Sequence, residues 1–200
     1  MVDNFELAKH FIVPDGIDKD LYWVVQIISR RKDNPDLETN SKCYKTFYIE
    51  SMEDLDNLKD TIIKYCQEYK ARAYFNPTAK SWKKTALQVL KEMAQAIADE
   101  RYKNCKGLFD AVAPGYGNVG EKYWVLDVDS MDDDNLALTN VLIWLESNIK
   151  DHTYTDIFPT PHGSHILMRP FDLREFTQVF PNVEIKKNNP TILFVPEFNT

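Results

Sequence analysis

The stretch that most narrows what this chain can become is Tyr123-Trp124-Val125-Leu126-Asp127-Val128-Asp129, where bulky apolar residues run into two aspartates one residue apart. A continuous apolar run rich in Val, Leu and aromatics predicts a strand covered on both faces. Alternation along a strand puts Asp127 and Asp129 on one face, with Cα atoms roughly 7 Å apart. Two carboxylates leaving one face of a buried strand are costly unless a cation sits between them. A hard divalent ion, Mg²⁺ or Mn²⁺, takes oxygen ligands and would answer that need. The plainer alternative has Asp127 buried in hydrogen bonds and Asp129 capping the next helix.

Composition narrows the surroundings of that strand. Two hundred residues, 44% hydrophobic and 28% charged, suit a soluble globular chain with one real core. The net charge of −7 argues against a general nucleic-acid coating protein. It leaves room for an enzyme that meets phosphates through metal and a local basic patch. Cys43, Cys66 and Cys105 form no CxxC pair, so neither a zinc site nor a disulfide framework follows, and a cytoplasmic location is expected. Met1 to His10 does not read as a signal peptide. No apolar run approaches the ~18 residues of a membrane span, so no membrane partner is expected.

Taken in order, Leu21 to Ser29 predicts a strand paired as a hairpin with Cys43 to Glu50. Ser51 to Asp54 resembles a capping box opening a helix to about Tyr69, with Leu55, Leu58, Ile62, Ile63, Cys66 and Tyr69 on one stripe. A short strand, Arg72 to Asn76, is expected to stop at Pro77. A second helix then runs from about Ala79 to Tyr102, with Leu87, Leu90, Met93, Ala94 and Ile97 as its core face. A helix is expected over Asn135 to Asn148, and a hairpin from Asp156 to Arg169. A short helix follows over Phe171 to Phe180, and a final strand pair, Val183 to Lys187 with Thr191 to Val195. The alternation predicts an α/β (α+β) fold with a mixed or antiparallel sheet flanked by helices. One compact unit is expected over 1–200, an N-terminal α/β half over 1–110 and a motif-bearing half over 111–200.

Two patterns are read as structural. Gly115-Tyr116-Gly117-Asn118-Val119-Gly120 fits GxGxxG, but a dinucleotide fingerprint follows a strand and opens a helix. Here the glycines lie between a helix and a strand, which predicts a flexible loop near the acidic strand end. Asp132, Asp133 and Asp134 are expected to cap the helix after the acidic strand.

Three short motifs stand in sequence order: Asp127-Val128-Asp129 ending an apolar strand, Gly163-Ser164-His165 entering one, and Val183-Glu184 late in the chain. This order resembles the archaeo-eukaryotic primase (primase-polymerase) superfamily. Its motifs are an apolar run ending in Asp-x-Asp, a small-x-His, and an apolar residue followed by an acid. The resemblance covers about the last ninety residues and implies a primase-polymerase-like core with an RRM-like second half. It implies a DNA primase-type nucleotidyltransferase that takes a nucleoside triphosphate. Asp127, Asp129 and Glu184 would hold Mg²⁺ or Mn²⁺, with Asp127, Asp129 and His165 carrying the chemistry. His165 would contact a phosphate, with Gly163 and Ser164 helping through their backbone and Arg169 and Lys186 as further phosphate contacts. Lys187 is a candidate of the same kind, and Arg72 and Lys80 are weaker ones. Such chemistry needs metal to activate a 3′-hydroxyl and neutralise triphosphate charge, and a cation beside it.

The third acid is Glu184 rather than the family's more common Asp, and Lys186 and Lys187 beside it can pair with it and withhold it from metal. His162 and His165 form His-x-x-His without a third N or S ligand at suitable spacing, which argues against zinc. The His-hydrophobic-His of a replication-initiator nuclease and the Gly-x-Ser-x-Gly elbow of a serine hydrolase are absent. Two alternatives stay open. One is a non-catalytic accessory or nucleic-acid-binding module of a replication complex. The other is a different metal-dependent phosphoester enzyme on the same acids. A single-stranded DNA template would be met weakly, through Arg30-Arg31-Lys32 and Lys80/Lys83/Lys84.

Overall fold

The computed structural model describes residues 1–13, 18–129, 136–149 and 154–197. Two antiparallel sheets flanked by helices make up the fold. The first contains β1 (Val2–Asp3), β2 (Leu21–Arg30), β3 (Ser41–Ile49), β4 (Arg72–Ser81) and β9 (Thr191–Val195), in the order β1-β9-β4-β2-β3. The expected hairpin forms, with Trp23 opposite Ile49 and Arg30 opposite Ser41. Alternation sends Trp23, Val25 and Ile27 towards α1 (Phe5–Lys9) and α2 (Met52–Glu68), where Phe5, Leu55, Ile62 and Cys66 are buried with them. Tyr22 and Val24 point the other way, onto Trp82 and Phe109 of α3 (Trp82–Ala98) and α4 (Leu108–Val112). The start of α2 is fixed locally. Ser51 Oγ accepts from the Asp54 N–H at 3.0 Å, and the Asp54 carboxylate accepts from the Glu50 N–H at 3.1 Å.

The second sheet joins β5 (Trp124–Asp129), β6 (Tyr154–Thr160), β7 (Gly163–Met168) and β8 (Glu184–Lys187) in the order β6-β7-β5-β8. With α5 (Leu136–Asn148) after β5 and α6 (Leu173–Val179) after β7, this is a β-α-β-β-α-β unit of the split βαβ kind. Leu126, Val128, Ile166 and Met168 face the helices, against Val141, Leu145 and Phe176. The opposite face sends Val125, Phe158 and Leu167 into the core of the first sheet. The apolar run of β5 is therefore covered on both faces because it serves two cores.

Several expectations are corrected. Val183 to Lys187 and Thr191 to Val195 do not pair: β8 lies beside β5, whereas β9 joins β4 and β1 in the other sheet. The last strand thus crosses the division at residue 110, and β9 is buried along its whole length. β4 does not stop at Pro77. Its pairing with β2 is irregular between Tyr22 and Val24, so Asn76 faces Val24 while Lys80 faces Tyr22. Pro77 sits in that irregular stretch, where a missing N–H is tolerated. α3 accordingly starts at Trp82, with Ser81 Oγ accepting from the Lys84 N–H at 3.0 Å.

The core face assigned to α3 is also wrong. Leu87, Leu90 and Ile97 are 59%, 64% and 52% exposed, and the buried residues are Thr85 and Ala96. Small residues face inward because the neighbouring backbone comes close: a Cβ on Gly117 would lie 2.2 Å from Thr85 Oγ1. The glycine segment is pinned along the end of β4. The Ser81 N–H donates to Gly117 O, the Val119 N–H donates to Ala79 O, and Lys80 pairs with Asn118. Gly117 has φ +80°, which explains a glycine there without any cofactor. The Asp132 to Asp134 capping expectation lies outside the described residues. No described helix is long and apolar enough to cross a membrane.

Candidate functional site

The register of the second sheet assembles the site. Asp127 on β5 lies opposite His165 on β7 and opposite Glu184 on β8, so the three share one row and one face. The expected same-face arrangement of Asp127, His165 and Glu184 therefore holds in the backbone. The side chains arrange themselves differently. Lys186 Nζ, two residues along β8 from Glu184, donates to Asp127 Oδ2 and lies 3.3 Å from Glu184 Oε2. His165 is buried, with Nε2 at 3.3 Å from Asp127 Oδ1 and Nδ1 at 2.9 Å from Thr191 Oγ1. The hydrogen bond from His165, joined by Lys186, outweighs burial and holds the Asp127 carboxyl well below the usual carboxylate range.

Asp127, Asp129, His165 and Lys186 line a cleft of about 350 Å³ between the two sheets. The other wall belongs to the first sheet: Arg30 at the end of β2, Lys32 just after it, and Arg72 and Tyr74 on β4. Arg72 is nearly buried, and its Nη2 donates to Asp33 Oδ1 at 2.6 Å. Its Nε and the second Asp33 oxygen have no protein partner among the described residues. Arg30 and Lys32 form no salt bridge among the described residues, though Arg30 Nη1 lies 3.4 Å from the Tyr74 hydroxyl. Burial first, and then Arg30 and Arg72, push the Lys32 ammonium below its usual value. Two cations without a salt bridge of their own among the described residues, Arg30 and Lys32, beside the paired Arg72 make this wall favourable to an anion. His162 and Asn189 complete the rim. Asp129, at the strand end, also borders an apolar groove of about 280 Å³ beside Val128, Val141 and Val179.

Not every expected residue arrives. Glu184 is 70% exposed at its side chain and does not line the cleft. Arg169 sits at the far end of β7, in a two-pronged ion pair with Glu121. Ser164 lies opposite Val128, on the helix-covered face, and β7 is flanked by β5 and β6. The backbone of Gly163 and Ser164 thus serves the sheet ladders rather than a phosphate. Lys187 lies 4.8 Å over the Trp124 ring. Lys80 is buried, donating to Tyr116 O at 3.0 Å and Asn118 Oδ1 at 2.6 Å, which breaks up the expected Lys80/Lys83/Lys84 cluster. Thr191 and Tyr74 were not singled out beforehand. A charge inside the strand pattern Arg72-Ala73-Tyr74-Phe75 was the one signal for Arg72.

The metal expectation divides in the same way. Among the described residues no group of three or more His, Cys, Asp or Glu side chains could hold an ion. A three-carboxylate site does not fit, because the Lys186 ammonium fills the gap between Asp127 and Glu184. A divalent ion that arrives with a triphosphate needs only one or two protein carboxylates, phosphates and water supplying the rest. Asp127 and Asp129, on one face of one strand, fit that smaller demand. No family model, no curated protein and no solved structure matches the chain.

Proposed function

We propose that the cleft binds a nucleoside triphosphate, and that the chain is a primase-polymerase-like nucleotidyltransferase. One observation carries this reading: Arg30, Lys32 and Arg72 of the first sheet face Asp127 and Asp129 of the second across one cleft, with Lys186 beside Asp127 on the same wall. Arg30 and Lys32 meet the phosphates, and Arg72 supports them with a guanidinium held in place by Asp33. His165 does not reach for phosphate. Held by Thr191, it orients the Asp127 carboxylate, as a histidine with both ring nitrogens engaged is able to do. Mg²⁺ or Mn²⁺ brought in with the nucleotide would activate a 3′-hydroxyl and neutralise triphosphate charge, with Asp127 and Asp129 as its protein ligands. Lys186 must leave Asp127 for that ligand set to form, and it then stands free to meet a phosphate oxygen. Single-stranded template would run past Arg31, beside the same cluster, with an affinity that falls steeply with salt.

A second reading draws on Lys186. If its ion pair with Asp127 persists, the cleft binds triphosphate but transfers nothing, and the chain serves as an accessory module in a replication complex. Titration of a fluorescent triphosphate at low salt, with and without Mn²⁺, is followed by primed and unprimed extension on single-stranded DNA. Triphosphate is expected to bind at least ~10-fold tighter than the nucleoside, and Arg30→Gln with Lys32→Gln to remove ~10-fold or more, at ~1.4 kcal/mol per tenfold. Asp129→Asn is expected to abolish Mn²⁺-dependent tightening and any incorporation. Equal affinity for nucleoside and triphosphate would remove the proposal. Tight triphosphate binding without incorporation selects the accessory module.

A further inference from the structure

The aliphatic stripe of α3 has the pattern of a packed helix and, among the described residues, nothing packed on it. Leu87, Leu90, Ala94 and Ile97 follow the 3-4-3 spacing of a helix–helix seam, over roughly 15 Å of helix. All four are exposed, the three large ones by more than half. α3 contacts the protein elsewhere, through Thr85, Ala96 and the start of the helix, against β4, α4 and the 3-10 turn Tyr102–Cys105. A contiguous apolar stripe of this kind marks a binding surface more than a solvated face.

Charge identifies the occupant. At ~100° per residue, Lys84 and Lys91 lie one heptad apart along a single edge of the stripe, with Lys83 at its N-terminal end. None of these three lysines makes a salt bridge among the described residues. The acids of α3 lie round the far side and are used locally, Glu92 accepting from Gln88 and Asp99 from Gln95 and Arg101. Asp20, near the start of the helix, is bound to Ser81 and to the Lys83 N–H. A second copy cannot answer the lysine edge. Antiparallel pairing sets Lys91 against Lys91, and parallel pairing sets it against Ala86.

We infer that the Leu87/Leu90/Ala94/Ile97 face of α3 docks an amphipathic helix of another protein, one whose apolar seam is bordered by Asp or Glu on the side that meets Lys84 and Lys91. The interface is of the helix-against-helix kind, with apolar anchors giving affinity and the lysine edge choosing the partner. It is independent of the nucleotide cleft.

The test uses two synthetic helical peptides of about four turns with identical Leu seams, one bordered by Glu and one by Lys, followed by fluorescence anisotropy at low salt. The Glu peptide is expected to bind at least tenfold tighter than the Lys peptide, the gap closing as salt rises. Leu90→Gln with Ile97→Gln is expected to abolish binding while the melting temperature and triphosphate binding stay as in the wild type. Lys84→Glu with Lys91→Glu is expected to reverse the peptide preference, a result that loss of folding cannot mimic. Equal binding of the two peptides, absence of binding by both, or survival of binding in the Leu90/Ile97 variant would overturn the inference. So would a concentration-dependent dimer in sedimentation that the Leu90/Ile97 variant abolishes, since a second copy would then be the occupant.

Discussion

Replacing Asp127 with Asn separates two physical pictures of the cleft. If carboxylates crowd there and repel, removing one charge stabilises the metal-free protein. The structure gives the opposite sign, because Asp127 is bonded by Lys186 and His165. Asp127 and Lys186 keep 18% and 25% of their side-chain surface exposed. Breaking a fully buried pair costs ~3–5 kcal/mol, and partial exposure reduces this to about 2–3 kcal/mol. For a chain of this size each kcal/mol moves the melting temperature by ~2–4 °C, so Asp127→Asn should melt about 4–12 °C lower at pH 7. The gap should also depend on pH. A carboxyl held below its ordinary value contributes fully above ~pH 5, and that contribution fades as pH falls below ~4 towards the folded-state pKa. Scanning calorimetry of both proteins from pH 7 to pH 3 measures this. Asp127→Asn with Lys186→Met should regain part of the loss, because no charge is left unpaired. A higher melting temperature for Asp127→Asn at pH 7, or a gap constant across that range, would refute the ion-paired picture.

Three further outcomes are expected. Burial pulls the Lys80 ammonium down to about 8, so the unfolded chain holds the proton more tightly and stability should rise between about pH 8 and pH 9.5; Lys80→Met should flatten that rise in thermal melts. Gly117→Ala places a methyl group 2.2 Å from Thr85 Oγ1 at φ +80° and should cost at least ~2 kcal/mol in urea unfolding, whereas Gly107→Ala, with nothing within 4 Å, should cost only its backbone strain of ~1 kcal/mol. Inorganic tripolyphosphate at ~100 times its Kd should raise the wild-type melting temperature by the equivalent of ~2.7 kcal/mol, and the rise should be largely lost in Arg30→Gln with Lys32→Gln.

What short-range chemistry decides was legible in the residues alone. Periodicity located β2, β3, α2 and β5, and the Ser51/Asp54 cap set the start of α2, because these signals lie within a few residues of what they specify. Alternation was enough to put Asp127 and Asp129 on one face, and His165, named in the sequence by a small-x-His pattern, lies opposite Asp127. Tertiary structure decided everything that depends on which element meets which. Thr191 reaches His165 because the chain leaves the second sheet after β8 and β9 joins the first, a choice between sheets that no local pattern encodes. Lys186 sits between the Asp127 and Glu184 carboxylates because β8 lies in register with β5. Arg30, Lys32 and Arg72, distant in sequence from Asp127, became one wall of its cleft when the two sheets packed together. The aliphatic stripe of α3 was legible as a helix face, but whether it faced inward depended on how closely Thr85 and Gly117 approach. Helical spacing says which residues share a side; only packing says which side is covered.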